Sequence, residues 1–205
     1  MDVLSAVVGF AIVLVCLTVH EAAHAWTADR LGDSTARDLG RVSLNPLVHI
    51  DPIGTIVLPL LAAFSGLPII GWAKPVPVNI SRLRHYRRDF MIVAAAGPIS
   101  NMLQAVAAAA VFHLFVAAGQ YTGIVLAILV MAVRINLLLA FFNLIPVPPL
   151  DGGNVLAGLL PESAAAVLDA LRQYGFIVLY ALMLTGVLTA IIRPPTEFFE
   201  GLLLP

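Results

Sequence analysis

Five long runs of apolar residues, separated by shorter polar stretches, organise this chain. They cover residues 3–27, 53–71, 90–118, 123–145 and 174–192. A helix needs about 20 apolar residues to cross the hydrocarbon core of a bilayer, because each residue adds about 1.5 Å. Four of the runs are long and continuous enough to meet this requirement. They predict four transmembrane helices.

The run at 53–71 differs from the other four. Pro59, Gly66 and Pro68 interrupt it, and Gly71 closes it. Proline removes a backbone donor and breaks a regular helix, and irregular backbone is tolerated at membrane depth only where protein or a water-filled cavity surrounds it. The pattern therefore predicts an all-α polytopic membrane fold with four transmembrane helices and a re-entrant or interfacial segment at 53–71.

Basic residues predict the orientation of the chain. They lie mainly in the polar stretches on either side of 53–71, and the first apolar run is preceded by none. Because cytoplasmic loops of membrane proteins carry an excess of Lys and Arg, both stretches should face the cytosol and the N-terminus should lie outside. The segment 53–71 must then enter and leave on the same side. The basic residues concerned are Arg30, Arg37, Arg41, Lys74, Arg82, Arg84, Arg87 and Arg88.

Composition agrees with a membrane protein. Hydrophobic residues make up 60% of the chain and charged residues 11%, and the mean hydropathy is +0.99. One soluble domain of 205 residues could not bury so much apolar surface. The net charge of -1 and the lack of a long basic block argue against nucleic acid as a partner. The single cysteine, Cys16, can form no disulfide within the chain.

The first apolar run ends in the sequence His20-Glu21-Ala22-Ala23-His24. Residues i and i+4 of a helix project from the same face, so both imidazoles can bind one Zn²⁺ and the intervening Glu21 can hold an attacking water. Three ionisable groups inside an apolar helix are costly without such a partner. The motif therefore predicts a zinc site within the membrane.

A catalytic zinc usually has three protein ligands, and Asp151 is the best-placed third candidate. It follows the fourth apolar run in a proline-rich turn. At about 1.5 Å per residue, His20 lies about 26 Å from residue 3 and Asn143 about 30 Å from Gly123, so both reach the inner boundary of the membrane if their helices run in parallel. Parallel helices require one crossing between them. The helix at 90–118 supplies it only if 53–71 does not span the bilayer.

Two motifs together resemble the site-2 protease family of intramembrane zinc metalloproteases. One is the HExxH sequence at residues 20–24; the other is Asn143-x2-Pro146-x4-Asp151-Gly152. The Gly97-Pro98-x-x-Asn101 sequence also matches, so the resemblance covers most of the chain. It resembles the short form of the family, without a PDZ or CBS domain, and implies a single intramembrane metalloprotease domain over residues 1–205.

The resemblance also implies roles for individual residues. His20, His24 and Asp151 would bind one Zn²⁺ per chain, Glu21 would be the general base, and Asn143 would be catalytic near the substrate or its oxyanion. A zinc-activated water would hydrolyse a peptide bond of a membrane-spanning or membrane-proximal substrate. The expected location is a prokaryotic cell membrane, with the active site near the cytosolic side.

Two other functions remain open from the sequence. One is a non-proteolytic zinc hydrolase that acts on a small or lipidic molecule in the membrane. The other is a catalytically silent scaffold, which the retention of Glu21 and all three ligands argues against. Oligomeric state and substrate identity are not readable from the residues.

Three further features carry expectations for the structure. A helical substrate must unwind before attack, so the extended-looking stretches 40–44 and 75–79 should lie near the site and one could pair with the substrate as an added strand. Gly97 and Asn101 are expected to serve close helix packing. Arg134, in the middle of an apolar helix, calls for a hidden partner or an oligomer contact, or it snorkels to the interface.

Overall fold

The computed structural model describes residues 3–58, 61, 71–120 and 122–205, and over these residues the chain is helical without β-strands. Single turns of 3₁₀ or π helix occur at Pro46–Val48, Pro52–Val57, Ile80–Arg82 and Arg172–Tyr174. The α-helices are α1 (Val3–Arg30), α2 (Thr35–Asp38), α3 (Tyr86–Ala117), α4 (Gly123–Asn143), α5 (Asp151–Leu159), α6 (Glu162–Leu171), α7 (Gly175–Leu184) and α8 (Val187–Leu203).

Four helical stretches in the described part of the chain are long and apolar enough to cross a membrane. They are Leu4–Arg30, Tyr86–Ala117, Gly123–Asn143 and Glu162–Leu184, the last of which runs through α6, a 3₁₀ turn and α7. Many large apolar side chains on these helices are exposed, as expected where lipid replaces water as the surrounding solvent. The protein is therefore an integral membrane protein with the predicted all-α polytopic fold.

The boundaries of the last predicted helix, 174–192, were wrong. Helix α7 ends at Leu184, and α8 begins at Val187. Gly186 lies between them with φ 75°, in the left-handed region that residues with a side chain rarely adopt. Hydropathy is continuous across this point and so gives no sign of the break.

Helices α1 and α3 run antiparallel and in close contact. The Nε2 of Gln104 donates to the carbonyl of Cys16, and the Nδ1 of His24 donates to the carbonyl of Val93. A later residue of α1 thus contacts an earlier residue of α3, as antiparallel helices require. The many alanines of α3 allow this approach, because small side chains let helix backbones come together in a membrane.

Helix α4 packs antiparallel to α3 after a short connection from Ala117 to Gly123. Ala105 and Ala109 of α3 are almost fully buried against Val133 and Leu137 of α4. Since α1 and α4 are both antiparallel to α3, they run in the same direction, as the position of Asp151 required.

The predicted re-entrant segment 53–71 falls largely on residues 59, 60 and 62–70, which lie outside the described residues. Its two ends, however, are joined. The backbone N–H of Trp72 donates to the carbonyl of Gly54 at 3.2 Å, and the Thr55 hydroxyl donates to the carbonyl of Trp72 at 2.8 Å. The chain therefore leaves and returns at one place, on the side where α1 ends and α3 begins.

Arg134 has a partner within the same chain. Its guanidinium donates to the Glu200 carboxylate of α8 from both Nε and Nη2, each at 2.7 Å. Helix α8 is held against α4 beside this pair by the Phe141 and Phe199 rings, whose centroids are 5.5 Å apart. The charge in the middle of α4 is thus neutralised by an intramolecular ion pair.

We expect Arg134→Ala and Glu200→Ala each to destabilise the native protein. Adding the second substitution to either single variant should cost less stability than the same substitution costs in the native protein. A single substitution leaves one unpaired charge beside a transmembrane helix, where a charge costs about 2.5–3.5 kcal/mol, and the double substitution removes both charges. The measurement is the thermal midpoint of the four proteins in lipid nanodiscs, read as a double-mutant cycle.

The control is the exposed pair of Arg193 and Glu197 on α8, one turn apart. An exposed i,i+4 pair contributes only about 0.3–0.5 kcal/mol, so its cycle should show little coupling. Simple additivity of the Arg134 and Glu200 effects would show that this ion pair does not stabilise the fold.

Candidate metal centre

Helix α1 presents His20 and His24 on the face that it packs against α3. Both side chains are buried, and their Nε2 atoms lie 3.0 Å apart. The two rings are nearly perpendicular, with an interplanar angle of 84°. The spacing of one helical turn thus brings the two nitrogens to a single point, as the motif predicted.

Asp151, which follows α4 in the sequence, lies at the same point. It is the first residue of α5, and its Oδ2 lies 3.1 Å from the Nε2 of His20 and 3.3 Å from that of His24. Gly152 allows this placement, because a Cβ there would collide with the carbonyl of Leu144 in the preceding turn. Gly153 packs against the same turn, where a Cβ would lie 2.6 Å from the backbone nitrogen of Pro148.

The glycine that does face the histidines is Gly97 of α3. A Cβ at this position would lie 2.5 Å from the Nε2 of His20 and would also collide with His24. The absence of a side chain here makes room for both imidazoles. Gly97 therefore shapes the site as well as allowing the helices to pack.

The opposite nitrogens of the two imidazoles have fixed partners. The Nδ1 of His24 faces the carbonyl of Val93 at 2.7 Å, and the Nδ1 of His20 faces the Oδ1 of Asn101 at 2.6 Å. Both partners are acceptors, so both Nδ1 atoms carry the proton. Each neutral ring then presents an Nε2 lone pair to the common point.

Three electron-rich atoms therefore converge without a donor between them. The buried Oδ2 of Asp151 has no hydrogen-bond partner, although two Nε2 lone pairs face it within 3.3 Å. Only a positive charge can stabilise this arrangement. The ligand atoms of a tetrahedral zinc at about 2.0–2.1 Å lie about 3.3 Å from one another, and the three separations here, 3.0 to 3.3 Å, match that value.

Glu21 lies next to the histidines and is half-buried. Its Oε2 accepts a hydrogen bond of 3.1 Å from the backbone N–H of Val76. The second carboxylate oxygen takes part in none of the described hydrogen bonds. The Val76 contact therefore fixes the direction of the carboxylate and leaves one oxygen available to a water.

Val76 belongs to one of the two stretches that were expected near the site. The stretch 75–79 contacts α1 through Val76 and the turn after α1 through Asn79, whose N–H donates to the Oδ2 of Asp33 at 2.6 Å. Residues 40–44 are linked to it through Arg41, whose Nη2 donates to the carbonyl of Lys74. Neither stretch forms a strand. Pairing of a substrate with 75–79 stays a prediction.

Asn143 is not brought to the three ligand atoms by the described contacts. Its Nδ2 donates to the carbonyl of Leu139, one turn back in α4, at 2.9 Å. The side chain lies at the end of the helix that leads to Asp151, and it is half-buried. Its amide would have to leave Leu139 to contact a substrate.

Asn101 contributes more than the helix packing that the sequence suggested, because it holds His20. Asn136 was not identified at all, although its Oδ1 accepts from the Nδ2 of Asn101 at 2.9 Å. Both are buried amides in apolar helices, where a polar side chain is expensive unless it is paired. That cost was the available signal, but the partner of each amide depends on helix packing.

Comparison with known proteins gives consistent matches. Residues 116–186, which include Asn143 and Asp151, match the sequence profile of peptidase family M50. YwhC of Bacillus subtilis, named as a zinc metalloprotease, is 37% identical over 189 residues, which cover 88% of this chain and 82% of YwhC. No solved structure matches the chain.

Two mycobacterial relatives, both named as the zinc metalloprotease Rip2, are more distant. The protein from Mycolicibacterium smegmatis is 32% identical over 180 residues, and that from Mycobacterium tuberculosis H37Rv is 31% identical over the same length. The match covers 85% of this chain and 66% of each relative, so the chain spans about two thirds of their length.

We expect Gly97→Ala to weaken metal binding by at least about tenfold, because the added methyl group must displace at least one imidazole. The measurement is the zinc dissociation constant of the purified protein, obtained by chelator competition. Gly9→Ala is the matched control, since a Cβ at Gly9 would lie 3.6 Å from the Sδ of Met131, an ordinary contact. Equal affinities in both variants would mean that α3 does not limit the position of the histidines.

Proposed function

This chain belongs to peptidase family M50, the site-2 protease family of membrane zinc metallopeptidases, and from this premise we propose that it is an intramembrane endopeptidase that cleaves membrane-spanning or membrane-proximal substrates. The observation that carries the proposal is the convergence of two imidazole nitrogens and one unpartnered carboxylate oxygen within an apolar helix bundle. Such a group is the ligand set of a catalytic zinc, which needs three protein ligands and one open position.

His20, His24 and Asp151 are the proposed ligands of one zinc ion per chain. When bound, zinc polarises the scissile carbonyl and lowers the pKa of the attacking water towards about 7. The Nδ1 contacts of the two histidines direct their lone pairs towards the ion. Asp151 is the third ligand, and its negative charge reduces the net positive charge of the site.

Glu21 is the proposed general base. The Val76 N–H holds one of its oxygens, so the other can accept a proton from the attacking water. The same carboxylate can then donate that proton to the leaving amine, which an uncatalysed hydrolysis would expel much less readily. Its position next to His20 in α1 keeps the base beside the ligands.

Asn143 is proposed to stabilise the oxyanion that develops on the scissile carbonyl. Its Nδ2 is a hydrogen-bond donor at the end of α4, eight residues before Asp151. Rotation of the side chain away from Leu139 would make this donor available to a substrate. The loss of one i−4 hydrogen bond within the helix is a small cost for that rotation.

The site is proposed to lie near the cytosolic side of a prokaryotic cell membrane. His20 lies ten residues before the end of α1, and the basic residues that follow, such as Arg30 and Arg37, belong on the cytosolic side. The bacterial origin of the relatives supports a prokaryotic membrane. The substrate class that fits this depth is a single-span membrane protein or peptide.

We expect Glu21→Gln to bind one zinc per chain but to cleave a single-span peptide about 10²–10⁴ times more slowly than the native protein. His20→Ala and Asp151→Ala should lose zinc as well as cleavage, because each removes a ligand. The measurements are zinc per chain by elemental analysis and kcat for peptide cleavage in detergent micelles and in liposomes.

Glu162→Gln and Asp169→Ala are suitable controls, since both carboxylates are exposed on α6. They should retain zinc and activity. If native protein binds zinc but cuts no peptide, and instead hydrolyses a small or lipidic ester in a Glu21-dependent way, the non-proteolytic alternative is correct. Cleavage that persists in Glu21→Gln would exclude Glu21 as the base.

We expect Asn143→Ala to lower kcat by about 10²-fold with KM and zinc content unchanged, because an oxyanion donor acts only in the transition state. The measurement is a full kinetic comparison with Asn154→Ala, a control at an asparagine that contacts only the exposed Arg172 among the described hydrogen bonds. A loss of zinc in Asn143→Ala would instead assign this residue to the folding of the site.

A further inference from the structure

We propose that Asn136, acting through Asn101, sets the protonation pattern of His20 and is a positioning residue of the metal site. The inference rests on the proposed zinc ligation by His20. It concerns a chain of hydrogen bonds that crosses three helices, from the ring of His20 in α1 to Asn101 in α3 and Asn136 in α4. None of these contacts is visible from the spacing of residues in the sequence.

The donor and acceptor of each hydrogen bond in this series follow from the orientation of the Asn136 amide. The Nδ2 of Asn136 lies 3.0 Å from the backbone carbonyl of Ala132, which can only accept. The Asn136 amide is therefore oriented with its Oδ1 towards α3, where it accepts from the Nδ2 of Asn101 at 2.9 Å. Asn101 must then turn its own Oδ1 towards His20.

The orientation of Asn101 determines which ring nitrogen of His20 carries the proton. An oxygen 2.6 Å from its Nδ1 requires the ring proton at that nitrogen, so its Nε2 keeps a lone pair for the metal. Were the Asn101 amide reversed, its NH₂ group would face Nδ1 and the ring proton would move to Nε2. There it would point at His24 and Asp151 and would compete with the metal.

The two histidines differ in how they are oriented. His24 donates to the carbonyl of Val93, a main-chain group that cannot present a donor in its place. His20 depends on a side-chain amide, which has a donor and an acceptor end and can rotate by 180°. Only His20 therefore needs a further group to select the correct end, and Asn136 supplies it.

Burial raises the free-energy cost of a reversed Asn101 amide. Asn101 is fully buried, and His20 and Asn136 are each 3% exposed. Water cannot readily replace a lost partner at this depth, so a reversed amide would leave buried polar atoms unsatisfied. The chain of three side chains thus has one arrangement in which every donor meets an acceptor.

The test compares substitutions at Asn136, which does not touch the proposed ligands. Asn136→Leu keeps the approximate volume and removes the acceptor for Asn101. Asn136→Asp keeps that acceptor in either protonation state, and when protonated it also donates to Ala132. We expect Asn136→Leu to bind zinc 10- to 100-fold more weakly, the usual effect of losing an outer contact of a metal-bound histidine, and Asn136→Asp to recover most of the affinity.

Three measurements on the full chain in detergent make the result specific. Chelator competition gives the zinc dissociation constant, the visible absorption spectrum of the Co²⁺-substituted protein reports the ligand geometry, and the thermal midpoint reports the fold. Asn101→Leu should weaken zinc binding at least as much as Asn136→Leu. Ser100→Ala is the matched control, since Ser100 donates only to the carbonyl of Gly97 among the described contacts and should leave affinity unchanged.

The outcomes separate this inference from the proposed function. If the native protein binds no zinc, or if His20→Ala binds it as well as the native protein, the metal site itself is wrong. If the native site is intact but Asn136→Leu retains native affinity and an unchanged Co²⁺ spectrum, the inference is wrong. Equal losses in Asn136→Leu and Asn136→Asp, with equally lowered thermal midpoints, would assign Asn136 to packing and also overturn it.

Discussion

The mutual repulsion of three electron-rich atoms is the constraint on which this structure depends. Two imidazole lone pairs and a carboxylate oxygen are held within 3.3 Å of one another in an apolar bundle, with no donor among them. Such an arrangement is unfavourable unless a cation is present, so the surrounding helices must hold it in place before the cation binds. The outer hydrogen bonds of the histidines, the missing side chain at Gly97 and the tight turn before Asp151 all serve that purpose.

Much of this arrangement could be predicted from the sequence. The spacing of His20 and His24 follows from helical geometry alone, and the requirement that Asp151 lie at the same depth determined the parallel direction of α1 and α4. Both arguments depend on distances along a helix, which a sequence encodes directly. The ends of α1, α3 and α4 followed from hydropathy to within a few residues.

What could not be predicted depends on contacts between helices or on backbone conformation. The break at Gly186 lies in a continuously apolar stretch, where only the left-handed φ distinguishes a turn from a helix. The pairing of Arg134 with Glu200 joins residues 66 positions apart, and that of His20 with Asn101 joins residues 81 apart. A polar residue in an apolar helix indicates that a partner exists, but its identity is decided only when the helices pack.

The link between Asn101 and Asn136 also has a consequence for the assembly of the bundle. The alanine-rich helix α3 presents a smooth surface to the apolar side chains of α4, and in lipid no hydrophobic force opposes the sliding of one helix along the other. A directional pair of amides is satisfied at one height only, much as a single buried asparagine selects the alignment of a coiled coil. The hydrogen bond between Asn101 and Asn136 therefore defines the axial register of α3 and α4, and with it the height at which Asp151 meets the histidines.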